Sequence, residues 1–211
     1  AICCSRANSV QDSTFESNQC LAPSGNSGGA LYCEGGSPSD TMTNVRFIGN
    51  SIVNTNGSAT YGGAIRAGQL GSFSNCEFRS NSATGGGAYG GAIYGYDGSW
   101  SACTFASNSA STPAGTAQGG AVKLEVSSNP SIFTNCSFSN NNTDGNSTAG
   151  GAIYRAPGEL RCTDSSFSGN SAQRGGGACW DGGGQEPIVS FTRCTFEKNS
   201  GTQGAGIYAY Y

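Results

Sequence analysis

The chain has 211 residues, including 35 Gly, 10 Cys and no His, and its formal net charge is −3. A charged fraction of 11% with 10% aromatic residues favours a folded protein, because disordered chains are rich in charge and poor in aromatics. No basic stretch points to nucleic-acid binding, and no apolar run is long enough to predict a membrane span. An even number of cysteines without His or a C-x-x-C pair predicts a secreted protein from an oxidising compartment, with no zinc and no other cofactor.

Two short sequence motifs, which we call words, recur in a fixed order from the start of the chain to its end. The word F-x-x-N occurs seven times, and the word Gly-Gly-Ala plus an apolar residue follows it six times, with a degraded form, GAGIY, at the end. The first word begins at Phe15, Phe47, Phe78, Phe105, Phe138, Phe167 and Phe196; the second begins at Gly28, Gly62, Gly90, Gly119, Gly150, Gly176 and Gly204. Repetition at intervals of about 30 residues is the signature of a stacked repeat architecture.

Apolar residues alternate around each Phe, which predicts short β-strands rather than helices. The position five before the Phe carries Met42, Phe73, Trp100, Phe133, Cys162 and Phe191. Each repeat therefore predicts one coil of an all-β, parallel β-helix, with coils about 4.8 Å apart. We expect one domain over residues 1–211 with about seven coils, in which 1–34 form a cysteine-rich first coil or cap and 35–211 form the repeated coils.

The two words have structural roles in such a solenoid. The Phe rings are expected to stack in the core, and each Asn to bond its amide to the coils above and below at a turn. The double Gly supplies a bend and allows close approach of backbones, and the following apolar residue opens the next strand.

The segments FRSN…GGAI, FASN…GGAV and FSNN…GGAI resemble the repeats of the polymorphic membrane proteins of chlamydiae. The resemblance covers roughly residues 10 to 208. It implies a right-handed parallel β-helix of the pectin-lyase-like kind, and a surface-exposed adhesive role. Fold alone does not fix function, because many activities occur on one fold.

The cysteines leave alternatives open. Cys76, Cys103, Cys136 and Cys194 share the position two before the Phe, so neighbours could form one disulfide or remain buried free thiols. Cys162 and Cys179 could pair across the core. The remaining four cysteines are expected to staple the first coil and make the solenoid disulfide-stapled: Cys3, Cys4, Cys20 and Cys33.

Three columns of outward positions are rich in hydroxyl side chains. Side chains alternate along a strand, so the neighbours of core residues point outward. Ser and Thr are good residues for exposed stacked strands, which is a purely structural explanation. Alternatively, a flat, weakly charged hydroxyl face at a regular spacing suits binding to ice, cleanest in coils three to seven because Arg46, Glu77 and Arg161 interrupt it. The predicted face comprises Thr43, Ser72, Ser74, Ser99, Ser101, Thr104, Thr134, Ser137, Thr163, Ser166, Ser190, Thr192 and Thr195.

A second column, which follows the Gly-Gly-Ala word, predicts an aromatic strip suited to carbohydrate or protein adhesion. Its aromatic members are Tyr32, Tyr94, Tyr154, Trp180 and Tyr208, with Arg66 and Lys123 between them.

The pattern for catalysis is weak, since carboxylates and basic residues are scattered among the coils. Asp164 and Arg193, one coil apart, are better explained as a surface ion pair, and Asp97 and Asp181 as solvated acids. The sequence therefore favours a secreted, monomeric, non-enzymatic binding protein. Ice is the first expected partner, a cell-surface glycan or protein is the second, and a polysaccharide-active enzyme is the third hypothesis.

Overall fold

The computed structural model describes residues 2–5, 8–21, 28–37, 39–181 and 189–210, with no side-chain description for 179–181. The described residues form 31 short strands, β1 to β31 in chain order, and no helix. All strand pairs are parallel, and successive coils contribute one strand to each of five stacked sheets. The chain is a right-handed parallel β-solenoid, as the sequence predicts.

Sheet A follows the Gly-Gly-Ala words, and sheets B and C lie on either side of the corner before each Phe. Sheet A contains β1 (Ile2–Cys4), β5 (Leu31–Gly36), β10 (Ile65–Gln69), β15 (Ile93–Gly95), β20 (Val122–Leu124), β25 (Ile153–Arg155), β28 (Ala178–Asp181) and β31 (Ile207–Tyr210). Sheet B contains β2 (Ser9–Gln11), β6 (Thr41–Thr43), β11 (Ser72–Ser74), β16 (Ser99–Ser101), β21 (Ser131–Thr134), β26 (Leu160–Thr163) and β29 (Val189–Thr192). Sheet C contains β3 (Thr14–Glu16), β7 (Arg46–Ile48), β12 (Glu77–Arg79), β17 (Thr104–Ala106), β22 (Ser137–Ser139), β27 (Ser166–Ser168) and β30 (Thr195–Glu197).

Sheets D and E are shorter and close the coil between the Asn and the double Gly. Sheet D contains β4 (Gln19–Leu21), β8 (Ser51–Val53), β13 (Ser82–Thr84), β18 (Ser109–Ser111) and β23 (Asn142–Asp144). Sheet E contains β9 (Ala59–Tyr61), β14 (Gly87–Tyr89), β19 (Thr116–Gln118) and β24 (Ser147–Ala149). In the last two coils these sheets are continued by isolated bridges at Ser171, Arg174, Ser200 and Gln203.

The Phe residues form one continuous stack through the core, which confirms their predicted role. Seven rings from Phe15 to Phe196 lie parallel, with neighbouring centroids 4.7 Å apart at the closest and 5.0 Å apart at the widest. Phe73, Trp100 and Phe133 form a second stack beside it. Seven stacked Phe strands span about six turns of the solenoid.

The Asn of each F-x-x-N word forms a buried amide ladder, which also confirms its predicted role. Asn108, for example, donates Nδ2 to Asn141 Oδ1 at 3.0 Å and to Phe78 O at 2.9 Å. Its own Oδ1 accepts from the backbone N and the Nδ2 of Asn81. Each amide thus satisfies buried polar groups on two neighbouring coils, which burial of a polar side chain requires.

The bend at the double Gly depends on glycine at both positions. Gly62 has φ +65°, and a Cβ there would lie 1.9 Å from the carbonyl oxygen of Ile65. A Cβ on Gly63 would lie 2.0 Å from Gly91 O in the next coil. Only glycine combines this backbone angle with this close stacking of coils.

The predicted disulfide staple is not found. The nine cysteines with described side chains are all free, and Cys4 and Cys33 share a sulfur–sulfur contact of 2.9 Å rather than a bond. Cys76, Cys103 and Cys136 are buried thiols stacked in consecutive coils, so the free-thiol alternative holds for this column. Cys162 was predicted to pair with Cys179, whose side chain is not among those that the structure describes.

Candidate functional site

The hydroxyl columns lie in register, but on two sheets instead of one flat face. On sheet B, Ser72 pairs with Ser99, and Ser74 with Ser101, so these side chains repeat once per coil. Thr104 and Ser137 continue the pattern on sheet C, across a two-residue corner whose first residue has a left-handed backbone. The members of the predicted face are half-buried or exposed. The structure therefore brings the thirteen residues to neighbouring surfaces and divides them by the corner.

Charged groups interrupt these surfaces, as the sequence indicates. Glu77 on sheet C accepts Nε of Arg46 and Nε of Arg79, each at 2.9 Å. These two hydrogen bonds, to Arg46 first, lower the pKa of Glu77. Arg161 on sheet B pairs with Glu159. Strongly hydrated ion pairs of this kind disturb a regular hydroxyl surface.

Among the described residues, an aromatic surface lies where sheet E meets sheet A in coils one to three. We call Tyr32, Tyr61, Tyr89, Tyr94 and Arg66 the tyrosine surface; all five are half-buried. The rings of Tyr61 and Tyr89 stack with centroids 5.4 Å apart, and Tyr94 meets Tyr61 edge-on at 4.7 Å. The Arg66 guanidinium lies 4.6 Å from the Tyr61 ring centroid, 5.5 Å from that of Tyr32 and 5.8 Å from that of Tyr94. Stacking and cation–π contacts hold the cluster in one arrangement.

Sequence reasoning identified Tyr32 and Tyr94 but missed Tyr61 and Tyr89. A signal was present: Tyr precedes the double Gly in coils two and three, as Tyr-Gly-Gly-Ala-Ile at residues 61–65 and 89–93. The two tyrosines pair in register at the end of their sheet E strands. The turn at the two glycines then brings sheet A beside Tyr61 and Tyr89, so that Tyr94 and Arg66 contact Tyr61. An alignment of equivalent positions in successive repeats does not show contacts between different positions of the repeat.

The predicted aromatic strip is wrong in two respects. Tyr154 pairs in register with Cys179, and Trp180 pairs with Arg155, so Trp180 lies one position outside the column. Gly175, at φ +59°, takes the place of the first Gly of the word, so Ala178 and not Cys179 takes the Ile position. Tyr154 is only 5% exposed, because Lys123, 4.8 Å from its ring centroid, packs over it.

A polar triad adjoins the tyrosine surface. The Tyr94 hydroxyl donates to Glu125 Oε1 at 2.9 Å, and Lys123 Nζ lies 3.0 Å from the same oxygen. Burial, with the Glu125 charge, raises the pKa of Tyr94 far above its usual value, and burial raises that of Tyr89. Both phenols therefore stay protonated and the cluster keeps its hydrogen-bond donors at all physiological pH values.

Arg155 is a fully buried cation that the sequence reasoning did not identify. Arg155 follows Tyr154 and occupies the inward-facing position that Ala67, Gly95 and Leu124 hold in other coils. A charged residue at a position that is otherwise apolar was the sequence signal for a buried cation. Nη1 donates to the carbonyl oxygens of Tyr96 (2.9 Å) and Glu125. Nη2 donates to Ser127 O at 3.2 Å and Asn129 O at 3.3 Å. Arg155 thus fastens the loops of three consecutive coils, and burial lowers its pKa.

The acidic candidates do not assemble into one site. Arg193 Nη2 donates to Asp164 Oδ2 at 2.8 Å, which confirms the predicted surface ion pair. Asp97 is buried, whereas the sequence predicted a solvated acid. The Asp181 side chain is not among those that the structure describes. Among the described residues, no three His, Cys, Asp or Glu side chains gather as a metal ligand set. The described part of the chain also has no helix long and apolar enough to cross a bilayer.

The stacked parallel sheets define the chain as a repeat protein of the right-handed β-solenoid class. Residues 58–211 match the family model described as a right handed beta helix region, and the chain belongs to that family. Residues 12–34 match the model of the Chlamydia polymorphic membrane protein repeat. A search of curated proteins found no match, and neither did a search of solved structures. The resemblance stated from the sequence is confirmed, and ice binding receives no support.

Proposed function

We propose that this chain is a surface-displayed, non-enzymatic, adhesin-like solenoid that binds carbohydrate through the tyrosine surface. The observation that carries the proposal is the partly exposed stack of Tyr61 and Tyr89 beside Arg66. Flat apolar faces of sugar rings pack on aromatic rings, and phenol and guanidinium groups donate hydrogen bonds to sugar oxygens. Tyr and Arg are also the residue types that dominate binding energy at interfaces.

The scaffold and the repeat family support this proposal. A parallel β-solenoid with stacked aromatic and amide ladders is rigid, so binding loses little conformational entropy. The matched repeat is named for chlamydial polymorphic membrane proteins, and we extend a surface or secreted location to this chain on that basis. The divided and charged hydroxyl surface favours the adhesive function over the ice-binding one.

A glycan array probed with the purified chain tests the proposal. We expect binding to a defined glycan set, with loss in the double variant Tyr61→Ala, Tyr89→Ala. Tyr96→Ala is the matched control, because Tyr96 is 45% exposed and lies outside the tyrosine surface. Binding that survives the double variant, or that is lost equally in the control, contradicts the assignment of the tyrosine surface.

A further inference from the structure

The corner between sheets B and C carries a second, short and exposed ladder of side-chain hydrogen bonds in the first three coils, and its next rung, at Ala102, is missing. One residue per coil adopts a left-handed backbone there, and five of the seven are Asn or Asp: Asp12, Asn44, Asn75, Ala102, Asn135, Asp164 and Arg193. Asn44 Nδ2 donates to Asp12 Oδ1 at 2.9 Å, and Asn75 Nδ2 donates to Asn44 Oδ1 at 2.8 Å. The ladder then stops at Ala102.

Ala102 is unfavourable at this position for two reasons. Its φ is +52°, a conformation that Asn, Asp and Gly adopt much more readily than Ala. Its methyl group also cannot continue the ladder, so Asn75 Oδ1 has no hydrogen-bond partner among the described residues. Residues held in an unfavourable backbone conformation, with no compensating contact within the protein, cluster at functional sites.

The missing rung borders a surface recess of about 380 Å³. The recess is lined by Asn44, Asn75, Ala102, Thr104 and the Arg46–Glu77 ion pair. The volume lies near the lower limit for small-molecule sites, roughly 300–1,000 Å³, which suits one sugar unit. Amide, hydroxyl, guanidinium and carboxylate groups therefore surround a space that Asn would narrow.

We propose that this recess is a subsite for an N-acetylated hexosamine unit, whose acetamido group replaces the missing amide rung. Asn44 and Asn75 each donate Nδ2 to the Oδ1 of the preceding coil, so the acceptor Oδ1 of Asn75 bounds the gap on one side. Asn135 holds the equivalent left-handed position in the coil after Ala102. An acetamido group has the same N–H and C=O, and can donate to Asn75 while it accepts from Asn135. Thr104 and the Arg46–Glu77 pair then meet the ring hydroxyls. The inference rests on the proposed glycan-binding function and adds a second site to it.

Two probes and two variants test the subsite by isothermal titration calorimetry. Chitohexaose and cellohexaose differ in an acetamido group against a hydroxyl at C2, so we expect the unaltered chain to bind chitohexaose about ten-fold more tightly. Ala102→Asn refills the rung and is expected to weaken chitohexaose binding about ten-fold while it raises the melting temperature. Ala102→Gly relieves the backbone strain but leaves the gap, so its affinity should stay within about two-fold.

The outcomes separate this inference from the proposed function. Equal binding of the two oligosaccharides, no chitohexaose binding, or unchanged affinity of Ala102→Asn overturns the subsite. Equal loss in Ala102→Gly also overturns it, because binding would then depend on the methyl group and not on the gap. If the subsite fails in any of these ways while the tyrosine double variant abolishes glycan-array binding, the proposed function stands alone. If Ala102→Asn weakens chitohexaose binding and the double variant does not, the subsite stands and the tyrosine surface fails.

Discussion

Replacement of Arg155 tests whether a buried cation secures the loops of three coils. Arg155→Met keeps the approximate volume and removes four charge-assisted bonds to the carbonyl oxygens of Tyr96, Glu125, Ser127 and Asn129. At about 1 kcal/mol net for each bond the loss is about 4 kcal/mol, and relief of the desolvation of the charge returns part of it. We expect a net destabilisation of about 2–4 kcal/mol, or roughly 5–15 °C in melting temperature for a chain of this size.

Differential scanning calorimetry measures this effect, and hydrogen exchange locates it. Amides of residues 125–129 should lose protection in Arg155→Met, because the loop carbonyls have lost their common donor. Arg161→Met is the control, since the Arg161 side chain is 53% exposed and its ion pair with Glu159 should contribute less than about 1 kcal/mol. An Arg155→Met chain as stable as the parent, with unchanged loop protection, would refute the reasoning. Apolar packing would then equal the contribution of the buried cation.

Three further predictions concern the ladders and the hydroxyl columns. Asn108→Ala leaves buried hydrogen-bonding groups of Asn81, Phe78 and Asn141 without their partner, so it should lower the free energy of unfolding, measured in urea, by about 3–5 kcal/mol. A loss below about 1 kcal/mol would contradict the stabilising role of the ladder. The neighbouring Cys136 thiol, together with burial, raises the pKa of the Cys103 thiol from 9.0 to about 12. The contribution of this thiol to the free energy of unfolding should therefore be fully present below pH 9 and be lost towards pH 12. Thermal melts across that range should fall less steeply in Cys103→Ala, and equal slopes would exclude this thiol as a cause. Thermal hysteresis at millimolar protein should be absent, because the hydroxyl columns are divided between two sheets; measurable hysteresis that Thr134→Tyr abolishes would restore the ice-binding hypothesis.

The sequence was sufficient for the fold because each coil buries the same two words in the same place. A Phe stack and an Asn ladder require in-register parallel coils, so the periodicity of Phe78, Asn81 and their equivalents already specifies the solenoid. The alternation of apolar and hydroxyl residues likewise placed Ser74 and Ser101 on the outside. These are properties of one repeat, and they are visible without knowledge of contacts between different columns.

The tertiary structure decided everything that depends on how columns meet. The corner that divides the hydroxyl surface, the shift at Gly175 that displaces Trp180, and the contact of Tyr61 with Arg66 all arise where the chain turns between sheets. The buried Arg155 and the gap at Ala102 are departures from the repeat, and only their neighbours show what they contact. Periodicity determines what successive coils share, because stacking repeats one environment; the sites lie where that repetition is broken or where two columns come together in space.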